Sequence, residues 1–128
     1  MREILFRGKR IDNGEWVYGM LFEITDAHDP FIMFKNRHGF SEQVSRETVG
    51  QYTGLKDRKG KRIFEGDILK VYDGKVGVVV YDARNAGYGL KGHGDGCCLC
   101  VSEVWEREVI GNIHDNTELI GGVSDENA

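Results

Sequence analysis

Two short apolar runs flank an Asn13-Gly14 pair near the start of the chain, in the stretch ILFRGKRIDNGEWVYGMLFEI. Asn-Gly between strand-like runs is the strongest short signal for a two-residue type I′ hairpin turn, because both residues tolerate positive φ. The pattern returns farther along the chain, where DILKVY and KVGVVVYD flank Asp73-Gly74. A chain divided in this way is predicted to fold as a series of antiparallel hairpins.

The other segments also predict short strands and little helix. FIMFK and FSEQV predict a second hairpin, CLCVSEVW and EVIGNI predict two closing strands, and HDNTELI predicts a helical turn capped by Asp115 or Asn116. Five glycines between Gly87 and Gly96 favour a flexible loop over a regular element. The predicted fold is therefore mainly β and hairpin-rich, with a small N-terminal β or α+β subdomain.

Two strand-like runs differ in how their apolar residues alternate. KVGVVVYD is apolar on both faces, which predicts a central strand that is covered on both sides. In WVYGMLFEI the large side chains share one face, and the simplest interpretation is that this face is core: Trp16, Tyr18, Met20, Phe22 and Ile24. The alternative is a partly exposed aromatic patch, with Trp16, Tyr18 and Trp105 forming a protein interface.

Length and composition exclude several classes of protein. The 128 residues are 40% hydrophobic and 30% charged, as in one folded domain, and no run approaches the roughly 20 apolar residues that span a bilayer. MREILFRGKR lacks the apolar stretch of a secretory signal, and the three cysteines, Cys97, Cys98 and Cys100, form no disulfide framework. We expect a cytoplasmic protein without a membrane partner.

Charge is unevenly distributed along a chain whose net charge is −4. Acids dominate from Glu103 onward, whereas five cations crowd a predicted hairpin: Lys56, Arg58, Lys59, Lys61 and Arg62. Cations attract phosphates, and the aromatics nearby in sequence, Tyr52, Phe64 and Tyr72, could stack on bases. The simpler interpretation is a soluble turn with its aromatics in the core, so nucleic-acid binding is the alternative function.

Catalytic and metal chemistry find weak support in the residue pattern. His93, Cys97, Cys98 and Cys100 could supply four zinc ligands, but neighbouring cysteines in a strand point to opposite faces, so Cys97 and Cys98 cannot both reach one ion from a strand. Glu65 and Asp67 could act as paired carboxylates, although an Asp between a glycine and a strand more often forms a turn. We expect no catalytic residue, no metal and no cofactor, and therefore a protein that is not an enzyme.

Three blocks of sequence carry a family resemblance: MREILFRGKRIDNGEWVYG, ETVGQYTGLKDRKGKRIFEGDILKV and EVIGNIHDNTEL. Together they resemble the YopX-like family of small phage and prophage proteins, apart from Thr117 where the family often has proline after DN, and VSRETV where a proline often precedes ETV. EGDILKVYDGKVGVVVYD also resembles the opening of SH3-like barrels. The resemblance implies a phage or prophage origin, a mostly β structure with an SH3-like barrel component, and no established biochemical activity.

These observations give a single YopX-like domain over residues 1–128, with subdomains at 1–50 (the N-terminal hairpins) and 51–128 (the SH3-like barrel portion). We expect a small non-catalytic binding protein, because its charges are segregated and strand edges can pair with a partner. Its partner would be a host or phage protein, or a second copy of the chain. The alternative is a nucleic-acid-binding module that uses the hairpin at 56–62.

Overall fold

The computed structural model describes residues 3–22, 29–34, 41–71, 76–84, 86–91 and 107–120. These residues form ten strands: β1 Phe6–Lys9, β2 Trp16–Phe22, β3 Phe31–Phe34, β4 Ser41–Gln43, β5 Gly50–Lys56, β6 Arg62–Phe64, β7 Asp67–Lys70, β8 Val76–Asp82, β9 Gly87–Lys91 and β10 Glu108–Asn112. Helix within the described ranges is limited to two 3-10 turns, Arg46–Thr48 and Thr117–Ile120. The prediction of a mainly β, hairpin-rich chain is confirmed.

The strands pair in two antiparallel sheets, and the chain divides into two compact units, Met1–Tyr52 and Thr53–Ala128. In the first unit the strand order is β4-β3-β2-β1-β5. In the second unit the rest of β5 pairs with β6, and a four-stranded sheet has the order β10-β7-β8-β9. The part of the chain that the structure describes contains no helix long and apolar enough to cross a membrane. The single-domain extent and the predicted subdomains at 1–50 and 51–128 stay predictions.

The first hairpin joins β1 to β2 as predicted, but its turn is not a two-residue type I′ turn. The Arg10 N–H donates to the Glu15 carbonyl at 2.9 Å, so four residues lie between the closing pair. Gly14 has a φ of +74°, whereas Asn13 does not have the positive φ that a type I′ turn requires. Instead, the Asn13 side-chain oxygen accepts the Glu15 N–H at 2.9 Å, which favours the longer loop.

The core of the first unit lies on one face of its sheet. Val17, Ile32 and Val44 are buried together, with partly buried Phe6, Leu21 and Val49 packed against them. The other face of β2 carries Trp16, Tyr18 and Met20, of which Tyr18 and Met20 are exposed. The interpretation of the large-residue stripe as core is therefore wrong for Tyr18 and Met20, while Trp16 and Phe22 are partly buried and Ile24 lies outside the described residues. The alternation was correct, but the smaller aliphatic side chains fill the core face.

Gly8 allows close packing within that core. A Cβ atom at this position would lie 2.9 Å from Val44 Cγ2 and 3.3 Å from Ile32 Cδ1. Both contacts are closer than carbon atoms pack without strain, and Ile32 and Val44 are fully buried. The absence of a side chain at Gly8 thus sets how closely Val44 approaches β1.

The second unit buries both faces of β8, which lies between β7 and β9. Val79 belongs to a cluster that also contains the following residues: Ile63, Leu69, Val71, Leu90 and Val109. Val78 packs with Ile68 on the other face, against a set of partly buried residues: Val76, Val80, Ile110, Ile113 and Leu119. The prediction of a covered central strand is confirmed, with Tyr81 alone among the apolar residues of β8 exposed.

The predicted flexible loop from Gly87 to Gly96 is wrong for its first half, because β9 spans Gly87–Lys91 and pairs with β8 in register. Leu90 is 1% exposed, and the rings of Tyr81 and Tyr88 make an edge contact with centroids 5.4 Å apart. Cross-strand packing of these side chains outweighs the weak strand preference of glycine. The second half, residues 92–96, lies outside the described residues.

Replacing Gly8 by alanine tests the packing of the first unit. We expect Gly8→Ala to lower the free energy of unfolding by about 1 to 2 kcal/mol, because overpacking against Val44 exceeds the backbone-entropy gain from removing a glycine. Chemical denaturation measures the change, and Ile4→Ala at an exposed position of the same unit is the control. A Gly8→Ala variant as stable as the native protein would contradict the packing described here.

Candidate functional site

One candidate surface lies on the solvent-facing side of β1 and β2. The register places Arg7 opposite Tyr18 and Lys9 opposite Trp16, and directly opposed residues of an antiparallel pair share a face. The Arg7 guanidinium carbon lies 4.6 Å from the Trp16 ring centroid, and Lys9 Nζ lies 5.6 Å from it. Together with Met20, these four residues form what we call the β2 face.

The outer part of the β2 face is aromatic and apolar. Tyr18 is 45% exposed and Met20 is 49% exposed, while Trp16 is partly buried and Arg7 is buried. The cation–π contacts orient the Trp16 ring on the sheet. The predicted interface residues Trp16 and Tyr18 therefore lie on one face, together with Met20, which the sequence interpretation assigned to the core. Trp105 lies outside the described residues.

A second candidate surface is the turn between β5 and β6. We call residues 56–62 the basic tip, and all of its cations are exposed: Lys56, Arg58, Lys59, Lys61 and Arg62. Lys56 ends β5 and Arg62 begins β6, so the cations line both arms of a hairpin. Gly60 has a φ of +84°, a conformation that glycine adopts without strain, and this closes the turn between the two arms.

The turn of the basic tip is organised around one buried carboxylate, that of Asp57. Its Oδ1 atom accepts the N–H groups of Lys59 at 2.9 Å and Lys61 at 2.8 Å. Its Oδ2 atom accepts the Val109 N–H at 2.9 Å, so the same side chain reaches β10. This role of Asp57 was not predicted from the sequence, although its position at the start of an Asp-x-x-Gly turn was an available signal.

Two further contacts join the basic tip to the start of β10. The Arg58 N–H donates to the Arg107 carbonyl at 2.9 Å. Lys59 Nζ lies 2.9 Å from Glu108 Oε2, and the hydrogen bond from Lys59 together with its charge lowers the pKa of Glu108. Within the described ranges, no ion pair engages Lys56, Arg58 or Lys61. The tip thus presents exposed cations on an ordered turn, and one of them, Lys59, is paired with Glu108.

The aromatic residues that lie near the basic tip in sequence do not offer exposed rings on which bases could stack. Tyr52 is 6% exposed and Phe64 is 4% exposed, so neither ring is presented to solvent. Tyr72 is not among the residues that the structure describes. The interpretation of Tyr52 and Phe64 as base-stacking residues is wrong, and the simpler interpretation, which places these aromatics in the core, is correct.

The remaining candidates are the carboxylate of Asp67 and the predicted metal ligands. Asp67 is 2% exposed and its Oδ2 accepts the Phe64 N–H at 2.7 Å, as expected of a turn-forming residue. In the ranges that the structure describes, no three His, Cys, Asp or Glu residues are grouped to hold a metal ion. The cysteines and His93 of the predicted zinc alternative lie in 92–106, outside those ranges: His93, Cys97, Cys98 and Cys100.

Comparison with known proteins finds one matching family and a similar solved structure. A family described as "YopX protein" matches residues 5–121. The chain is also similar to the crystal structure of protein EF1440 from Enterococcus faecalis, with a TM-score of 0.62 and 26% sequence identity, over 94% of this chain and 99% of that one. No curated protein matches the chain.

Removing the Asp57 carboxylate tests its role in the tip. Asp57→Asn is expected to lower the free energy of unfolding by about 1 to 3 kcal/mol, because one amide oxygen cannot satisfy three N–H donors, of which that of Val109 is buried. Urea denaturation at neutral pH measures the loss, with Asp12→Asn as a matched control in an exposed Asp that pairs with Arg10. Equal stability losses in the two variants would refute the assignment.

The pKa of Asp57 gives a separate prediction about acid. Burial by itself would raise the pKa of this carboxyl, but the N–H donors of Val109, Lys61 and Lys59 outweigh burial and hold the pKa below its usual range. A lowered folded-state pKa stabilises the fold above the unfolded-state pKa of about 3.9, and that stability disappears as pH falls through the folded-state value. Acid titration of unfolding should therefore show a steeper loss of stability below about pH 4 in the native protein than in Asp57→Asn. Equally steep losses of stability below about pH 4 in the native protein and in Asp57→Asn would contradict this prediction.

Proposed function

The chain belongs to the YopX protein family, and from its exposed β2 face we propose that it is a small non-catalytic binding protein that docks on another protein. The proposal includes a phage or prophage origin and a cytoplasmic location in the bacterial host, which the sequence resemblance and the residue composition support. Its partner is a host or phage protein, or a second copy of the chain.

The observation that carries this proposal is the exposure of large apolar side chains on a regular sheet surface. Tyr18 and Met20 present nearly half of their surface to solvent beside the oriented Trp16 ring. Tyrosine, tryptophan and methionine are enriched at protein interfaces, and the β2 face presents all three beside the buried Arg7. Burying such side chains against a partner removes apolar surface from water, which drives association.

The composition of the β2 face supports a macromolecular partner. Its rigid part is Trp16, held by Arg7 and Lys9. Its adaptable part is Met20, since an unbranched thioether side chain fills irregular gaps on a partner surface. A rigid aromatic beside an adaptable apolar residue is typical of an anchor region in a protein interface.

Within this proposal, the second unit acts as a structural scaffold. We assign β5 to β10 to an SH3-like barrel component, supported by the short consecutive strands and by the turn at Gly66. The Gly66 N–H donates to the Val79 carbonyl at 2.9 Å, and the Gly66 carbonyl accepts the Ile113 N–H at 3.0 Å. This turn, with a φ of +89°, holds β7 against the elements on either side of it.

The non-catalytic part of the proposal is supported by the buried carboxylates. Asp57 and Asp67 both accept backbone N–H groups, which is the geometry of turn stabilisation. A general base instead requires a carboxylate that can reach a proton on a substrate. Asp57 and Asp67 therefore have a structural role in the fold.

Removing the apolar side chains of the β2 face tests the proposed function. The double variant Tyr18→Ser with Met20→Ser should lose at least about tenfold in partner recovery, because two anchor side chains of an interface contribute at least 1.4 kcal/mol together. The measurement is capture of partners by the tagged protein from host lysate after nuclease treatment, quantified by mass spectrometry, with sedimentation velocity to detect a second copy.

The matched control is Tyr81→Ser, which removes an exposed tyrosine of the second unit that is 51% exposed. We expect this variant to recover the same partners as the native protein. Recovery that is unchanged in the β2-face variant, or that falls equally in Tyr81→Ser, would contradict the proposed interface.

A further inference from the structure

We propose that the basic tip is a second binding site, formed by residues outside the β2 face, that takes the phosphate backbone of duplex nucleic acid without reading its sequence. The cations that we assign to phosphate contact are Lys56, Arg58 and Lys61, which are exposed and make no ion pair in the described part of the chain, with the exposed Lys59 and Arg62 beside them; Lys59 pairs with Glu108. The inference goes beyond the proposed function and does not depend on it, because no residue of the β2 face takes part.

The charge of the tip is opposite in sign to that of the whole chain. Residues 56–62 contain five cations and one acid, while the chain has a net charge of −4. The single acid, Asp57, is buried and bonded to backbone N–H groups, so the exposed charges within residues 56–62 are all positive, and the one carboxylate paired with them is that of Glu108 on Lys59. Phosphate oxygens are attracted to such a cluster, and each neutralised phosphate releases counterions from nucleic acid.

The arrangement of the tip lowers the entropic cost of binding. Asp57 fixes the turn through Lys59, Lys61 and Val109, so the Cα positions of the cations are set before a ligand arrives. The same bonds occupy the N–H groups of Lys59 and Lys61. The backbone of the turn therefore cannot cradle an isolated phosphate at these groups, and contact must come from the long side chains, which suit a row of phosphates.

The chemistry of the tip favours nucleic acid over an acidic protein. Residues 56–62 include no apolar side chain that is exposed, so a protein partner would find no anchor there. A phosphate backbone needs only positive charge, and it gives affinity that is independent of sequence. Because Tyr52 and Phe64 are buried, bases cannot stack on them, which favours duplex over single strands.

Fluorescence anisotropy with a short labelled DNA duplex of mixed sequence tests the site, at a series of salt concentrations. Contact with three to five phosphates predicts a slope of log affinity against log salt between about −2.7 and −4.5. The variant Arg58→Glu with Lys61→Glu should bind at least about tenfold more weakly and show a slope reduced in magnitude by about 2. A single strand of the same sequence should bind no more tightly than the duplex.

The matched control is Arg46→Glu with Arg84→Glu, which changes the net charge equally at exposed positions outside the tip. It should retain most of the duplex affinity, whereas an equal loss would show that only net charge matters and would overturn the proposal. Absence of duplex binding at low salt would overturn it as well, as would equal competition by polyglutamate. Circular dichroism and thermal unfolding verify that each variant is folded, and Arg58→Gln with Lys61→Gln replaces the glutamate variant if that one unfolds.

Discussion

The carboxylate of Asp57 is the interaction on which the organisation of the second unit depends most. One side chain accepts N–H groups from the turn that it begins and from a strand that lies 52 residues farther along the chain. Charge-assisted bonds of this kind are stronger than neutral ones, and the bond from the Val109 N–H is buried, where an unmet donor is costly. The turn between β5 and β6 and the start of β10 are therefore held by the same group, and the exposed cations of the basic tip take their positions from it.

The first unit separates its two sheet faces by side-chain size. Small aliphatic residues fill the core, with Gly8 allowing Val44 to approach closely, while the larger side chains of β2 face solvent beside Arg7 and Lys9. This distribution leaves an aromatic and apolar surface exposed that the fold of this unit does not require. The protein thus combines an apolar surface suited to a protein partner with a cationic turn suited to phosphates, on residues that do not overlap.

Local signals in the sequence predicted much of the fold. Glycine turns between alternating runs marked the hairpins, and apolar residues on both faces marked β8 as a central strand. The face of β2 that is buried could not be predicted, because alternation identifies two faces and only the packing of Ile32 and Val44 decides between them. The strand at Gly87–Lys91 depended on its pairing with β8, and the role of Asp57 on its contact with Val109, both of which are tertiary. Alternation correctly placed Trp16, Tyr18 and Met20 on one face, but the simplest interpretation gave that face to the core, and only Trp16 and Tyr18 were named in the alternative interface.

The central claim is that the β2 face docks on another protein, and site-specific photo-cross-linking in the bacterial host tests it most directly. Tyr18 and Tyr81 are both exposed tyrosines of similar accessibility, so each can be replaced in turn by p-benzoylphenylalanine and irradiated in cells. If the β2 face docks on another protein, we expect a discrete protein adduct from position 18 and none of comparable yield from position 81. Adducts from position 81 alone, or from neither position, would contradict the claim.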